Sequence, residues 1–91
     1  MNNLEKYDLM QKISRELEDL KNSQTAIIKK IGQTEAHNIN LSDSELGKDL
    51  DIIYEHVAKN LEKVEALEEK FSQSVEKFSA ENKLDQQSEE A

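Results

Sequence analysis

The chain contains no proline, and its apolar residues recur at alternating intervals of three and four through most of its length. This spacing places them along one face of an α-helix and is typical of the a and d positions of a coiled coil. Because the chain also has only two glycines, it offers few points at which a long helix is interrupted. The pattern therefore predicts an all-α fold built from a small number of long helices.

The first helix is predicted to span about residues 3–31. Asn2 and Glu5 have the spacing of a helix start. Gly32 follows the last apolar residue of the pattern, as glycine commonly does where a helix ends. The apolar stripe predicted to face a partner helix consists of Met10, Ile13, Leu17, Leu20, Ile27 and Ile31, with the polar Gln24 among them.

Residues 32–41 lose this period and are predicted to form a connector. Ser42 and Glu45 then have the S-x-x-E spacing of a capping box, with Leu41 and Leu46 at the hydrophobic-staple positions. A second helix is therefore predicted at about 42–83, followed by a disordered acidic tail at 84–91. The stripe of the second helix consists of Leu46, Leu50, Ile53, Val57, Asn60, Val64, Leu67, Phe71, Ser74 and Phe78.

The two stripes match in an antiparallel register that pairs Ile31 with Leu46 and Met10 with Leu67. The sequence thus predicts a two-helix hairpin, or antiparallel coiled coil, whose arms are unequal. Both stripes are wider than one neighbouring helix requires, so the hairpin is expected to be completed into a three- or four-helix bundle by self-association or by a helical protein partner. The residues predicted to bind that partner lie at the overhanging end and along one edge of the second helix: Tyr54, Leu61, Phe71, Val75 and Phe78.

The net charge of −8 disfavours binding to nucleic acid or to anionic membrane surfaces. No apolar run approaches the ~20 residues that a membrane-spanning helix needs, so we do not expect direct membrane insertion. We expect a cytoplasmic location. The absence of cysteine excludes disulfides and thiolate zinc sites.

Catalytic chemistry is not indicated by any motif. His37 and His56 lack a second ligand or a nucleophile at helical spacing. The acidic run of Glu62, Glu65, Glu68 and Glu69 lacks the Glu-x-x-His motif of di-metal bundles. We expect neither an enzyme nor a bound cofactor or metal.

The function predicted from these features is that of a non-catalytic coiled-coil subunit or adaptor, which contributes helices to a larger multiprotein assembly. The alternatives are a bacterial or phage helical-hairpin secretion chaperone, an exported hairpin, or an acidic inhibitor protein. Exported hairpins typically carry a W-x-G turn, and this chain has no tryptophan.

Overall fold

The computed structural model describes residues 1–83, and the predicted disordered tail at 84–91 lies outside the described residues. The described part forms two long α-helices joined by a two-residue turn. Helix α1 spans Asn3–Leu41 and helix α2 spans Ser44–Asn82, each 39 residues long. The helices pack against each other as an antiparallel hairpin that measures 62 × 19 × 18 Å between its Cα atoms. Within residues 1–83 there is no β-strand, and no helix in this part of the chain combines the length and apolarity needed to cross a membrane.

The predicted start of α1 is confirmed, whereas its predicted end at Gly32 is wrong. Asn2 is the N-cap, and its side-chain oxygen accepts a hydrogen bond from the Glu5 N–H at 2.8 Å. The helix continues through Gly32 for nine more residues. A glycine inside a helix costs only about 1 kcal/mol, and Glu35 and Asn38, within the predicted connector, are half-buried. We attribute the continuation to these contacts with α2.

The turn assigns Ser42 and Asp43 different roles from those predicted. Ser42 adopts the left-handed conformation (φ 60°, ψ 38°) and closes α1, donating its N–H to the Asn38 carbonyl at 2.6 Å. Asp43 is the N-cap of α2, because its carboxylate accepts from the Leu46 N–H at 2.9 Å. The predicted capping box at Ser42 and Glu45 is therefore wrong, and α2 begins two residues later than predicted.

Asn38 ties the end of α1 to the start of α2. Its side-chain Nδ2 donates to the Asp43 carbonyl at 2.9 Å, and its Oδ1 accepts from the Asp43 N–H at 3.1 Å. Two hydrogen bonds from one amide thus fix the position at which the chain reverses.

Contacts near the two ends of the hairpin define the register. Asn3 donates to Asn82 at 2.9 Å, and a Cβ added at Gly47 would lie 3.2 Å from the Asn38 amide nitrogen. Asn3 and Asn38 are 35 residues apart on α1, and Gly47 and Asn82 are 35 residues apart on α2. The register of the two helices is therefore the same at both ends of the hairpin. Ile31 consequently lies at the height of Tyr54. The predicted pairing of Ile31 with Leu46 and the predicted unequal arms are both wrong, because residues 32–41 extend α1 instead of connecting the helices.

The core between the helices is thin and partly polar. Among the described residues, only Ile31, Val64 and Ser79 are buried, each 7% exposed. An ion pair crosses the contact, with Lys21 Nζ 3.1 Å from Glu68 Oε1. The other carboxylate oxygen of Glu68 is buried and has no hydrogen-bond partner in the described part of the chain.

Candidate protein-interaction surface

The residues of α1 that face α2 are not quite those predicted. At every second position of the predicted stripe, the residue that faces α2 is the next one along the chain. Ile13, Leu20 and Ile27 were predicted to face the other helix, yet they remain 36%, 43% and 40% exposed. The residues that follow them in the chain, Ser14, Lys21 and Ile28, are half-buried instead. The contact stripe of α1 consists of Tyr7, Met10, Ser14, Leu17, Lys21, Gln24, Ile28, Ile31, Glu35 and Asn38.

Helix α2 shows the same displacement. Ile53 and Leu67 were predicted to be interior, yet each is 49% exposed, and the neighbouring Asn60 and Ser74 are exposed as well. Leu61, Glu68 and Val75, which follow Asn60, Leu67 and Ser74 in the chain, are half-buried. The contact stripe of α2 consists of Leu50, Val57, Leu61, Val64, Glu68, Phe71, Val75, Phe78 and Asn82, with Tyr54 at its partly exposed edge.

The most apolar stripe of each helix is therefore not centred on the other helix. In a seven-residue repeat, neighbouring positions around the helix differ by about 50°, and this is the angle by which both apolar stripes are turned away from the contact. Equivalent positions of two antiparallel helices lie on the same side of the pair, because a two-fold axis perpendicular to both helices relates them. Both stripes are consequently turned toward one flank of the hairpin.

The opposite flank is polar and forms an open groove. Glu18 and Lys21 of α1 line it together with Glu65 and Glu68 of α2. We call it the acidic groove, and its other lining residues are Ser14, Glu69, Ser72, Gln73 and Glu76. Glu18, Lys21, Glu65 and Glu68 occupy one edge of the contact stripes. The exposed residues at the other edge, Ile13, Leu20, Ile27, Ile53 and Leu67, therefore lie on the opposite side of the hairpin.

Five large side chains from both helices define what we call the apolar flank: Ile13, Leu20, Ile27, Ile53 and Leu67. In the observed register Leu20 and Leu67 lie at nearly the same height, near the middle of this set. Leu41 is exposed and Leu46 half-buried at the equivalent positions beside the turn. Large exposed apolar side chains grouped on one side of a molecule are typical of a protein-interaction site.

The borders of the apolar flank carry charged side chains on both helices. Lys63, Lys70 and Lys77 recur every seven residues along the outer edge of α2, and all three are exposed. Glu16 and, two heptads later, Lys30 lie at the corresponding position of α1, and both are exposed. The glutamates of the acidic groove are on the far side, so the charge of the hairpin is divided between its two flanks.

The residues predicted to bind a partner have a different setting from the one expected. Leu61, Phe71, Val75 and Phe78 are half-buried along the contact stripe, and Lys6 Nζ lies 4.9 Å from the centre of the Phe78 ring. The sequence predicts that the end of α2 extends beyond α1 and leaves Val75 and Phe78 unpaired. This prediction is wrong, because α1 and α2 have equal lengths. Tyr54 is 43% exposed. Partner binding through these five residues stays a prediction.

The apolar flank was missed because its members were assigned to the interior. The width of the stripes indicated that more than one neighbour was needed. It did not indicate which half of each stripe faces the other helix. The exposure of the side chains resolves this point, since Leu61 and Val75 are half-buried and Leu67 is exposed.

Among residues 1–83, no group of three or more carboxylate or imidazole side chains is arranged to hold a metal ion. His37 and His56 are exposed. The pKa of Glu35 is raised above its ordinary value, mainly by desolvation and also by Asp51, whose carboxyl group shares a hydrogen bond with Glu35 and repels its charge.

Fold and surface together define a helical hairpin with one apolar and one acidic flank. No protein-family model matches the sequence, and searches of curated proteins and of solved structures return no significant match.

Proposed function

We propose that the protein is a non-catalytic subunit or adaptor that contributes its two helices to a larger helical assembly through the apolar flank. The observation that carries the proposal is the common rotation of both apolar stripes toward one side. In a four-helix bundle each helix contacts two neighbours, so its apolar face points between them rather than at either one. The rotation of about 50° matches this arrangement closely.

The composition of the contact between α1 and α2 also supports the proposal. Lys21, Glu68 and Gln24 occupy positions that face the other helix, whereas Leu20, Leu67 and Ile27 face outward. Burying a leucine or isoleucine fully is worth about 1.5–3 kcal/mol. A hairpin that acts alone forgoes much of this gain on its apolar flank, and a hairpin covered by further helices recovers it.

Site-specific photo-crosslinking in the cells that produce the protein tests the proposal. A photoreactive amino acid replaces Leu20 on the apolar flank, and the matched control replaces the adjacent Asp19, which points away from it. We expect crosslinked products of defined size from position 20 and none from position 19. Equal crosslinking at the two positions, or no product at either, contradicts the proposal.

The acidic groove favours a second candidate, an acidic inhibitor that binds a basic target. Five glutamates line the groove and Lys21 is its only basic residue among those described. Salt discriminates between the candidates, because binding through exposed charges weakens steeply as ionic strength rises, whereas apolar contact between helices persists. A partner that is released between 50 mM and 500 mM NaCl favours the inhibitor.

A further inference from the structure

We infer that the apolar flank binds a second copy of this chain, so that two hairpins pack face to face as a four-helix bundle with both turns at the same end. The inference rests on the proposed function and names the partner. Four observations support it: the number of helices needed to cover the apolar flank, the area of that face, the side chains that would face each other across the interface, and the charges on the borders of the flank.

The surface left uncovered is as wide as the hairpin itself, so a partner that covers it must also contribute two helices. Both stripes are turned by about the same angle, so the uncovered surface lies across two helices rather than along one groove. From Ile13 to Leu41 this face of the hairpin is about 42 Å long and about 20 Å wide, a footprint on the order of 800 Å² that also contains the polar Thr34, Asn60 and Ser74. This is the area that each partner contributes to a standard stable protein interface. A second hairpin covers the flank completely, and a single helix does not.

A two-fold axis parallel to the helices places α1 of one copy against α2 of the other at the same height. At each height a large apolar side chain then meets a smaller polar side chain or another leucine, and the hydroxyls of Thr34 and Ser74 already donate to carbonyls of their own helices. Such alternation of large and small residues fills a core without voids. The facing positions are Ile13 with Ser74, Leu20 with Leu67, Ile27 with Asn60, Ile53 with Thr34, and Leu41 with Leu46.

The border charges favour this orientation over the reversed one. Glu16 lies thirteen residues after Asn3, and Lys70 lies twelve residues before Asn82, so Glu16 and Lys70 are at the same height. Within one hairpin they are on opposite outer edges, and across the proposed two-fold axis they face each other. In the reversed orientation centred on Leu20 and Leu67, Lys63 of one copy lies beside Lys70 of the other. Like charges in contact disfavour that arrangement.

The acidic groove is compatible with self-association despite the net charge of −8. Its glutamates lie on the flank opposite to the interface, so in the dimer they point outward from both faces. Repulsion between them is reduced by the thickness of the bundle and screened by salt.

The first test measures the mass of the purified full chain by light scattering across concentration. We expect a dimer at tens of micromolar and a monomer for the double variant Leu20→Gln/Leu67→Gln. The matched control is Ile39→Gln/Ile52→Gln, which removes two exposed apolar side chains outside the apolar flank and should leave the dimer intact. A wild-type monomer at several hundred micromolar overturns the inference, as does a dimer that the flank variant leaves intact.

Charge reversal tests the orientation without removing apolar contacts, which keeps the inference testable even where the flank variant fails to fold. Glu16→Lys and Lys70→Glu should each weaken dimerisation about tenfold, because two-fold symmetry places the pair in the interface twice. The double reversal should restore the wild-type affinity. Additive losses in the double variant overturn the pairing of Glu16 with Lys70.

A distance measurement completes the test. The chain has no cysteine, so Asn40→Cys provides a single site for a spin label beside the turn. We expect a label separation of about 30 Å when both turns lie at the same end, and about 70 Å in the reversed orientation. A long separation overturns the proposed orientation.

These outcomes are distinguishable from failure of the proposed function. Crosslinks from Leu20 to a different protein, together with a monomeric purified chain, retain the proposed function and exclude the second copy. Absence of any crosslink from Leu20 removes the proposed function itself.

Discussion

Gly32 and Gly47 are both helical, yet their surroundings differ. No atom lies within 4 Å of a Cβ added at Gly32, whereas a Cβ added at Gly47 would lie 3.2 Å from the Asn38 amide nitrogen. That amide is held by its two hydrogen bonds to Asp43. The same glycine-to-alanine substitution therefore has a different cost at each position.

We predict that Gly32→Ala stabilises the protein by about 0.5–1 kcal/mol, the difference in helix propensity between the two residues. Gly47→Ala should gain less or lose stability, because the new methyl group displaces Asn38 from the turn. Urea denaturation at one protein concentration measures both variants. Equal gains at the two positions would contradict the role assigned to Gly47.

The raised pKa of Glu35 predicts a pH-dependent effect. A pKa raised in the folded state means that this group favours folding below its ordinary value of 4.5 and opposes it as pH rises through the folded value. Glu35→Gln should therefore raise the melting temperature at pH 7 and have little effect near pH 3. The control is Glu62→Gln, at an exposed carboxylate of α2. A stabilisation of equal size at both pH values would show that relief of charge is not its cause.

At the scale of elements, the two helices could be predicted from periodicity, but their lengths and register could not. Residues 32–41 contain glycine, threonine and asparagine, which locally favour a connector. They are helical because Glu35 and Asn38 contact the other arm and because Asn38 holds the turn, and both effects depend on tertiary structure. The register followed from the connector, so the error in one element moved every predicted pairing.

The contribution of the Lys21–Glu68 ion pair to the stability of the hairpin can be tested by substitution. Both side chains are about one-third exposed, and breaking such a pair leaves an uncompensated charge, whereas apolar replacement of both partners is often stabilising. Lys21→Leu alone should destabilise by about 1 kcal/mol, and Lys21→Leu/Glu68→Leu should restore or exceed the wild-type stability. A double-mutant cycle by urea denaturation measures the coupling. Independent effects of the two substitutions would show that the ion pair contributes little.

At the scale of the whole molecule, the expectation that the hairpin needs further helices stays a prediction, as does partner binding through the five residues named from the sequence. The structure differs from the sequence analysis in which large apolar side chains it leaves exposed. Each stripe spans two neighbouring sets of heptad positions, and the sequence alone does not determine which set faces the other arm. The sequence predicts Leu61 and Val75 at the free edge of the second helix. In the structure they are half-buried against α1, and Leu67 lies at the exposed edge instead. The apolar flank therefore follows from the same periodicity once the register is known.

The hydrogen bond between Asn3 and Asn82 has a practical consequence for handling this protein. Any tag, label or domain joined before α1 or after α2 leaves the hairpin at one end, some 60 Å from the turn. Immobilisation next to Asn3 or next to Asn82 therefore orients the hairpin in the same way, with the turn projecting into solution. Two fluorophores attached beside Asn3 and Asn82 would report on opening of the arms, which makes the hairpin a sensor of its own unfolding.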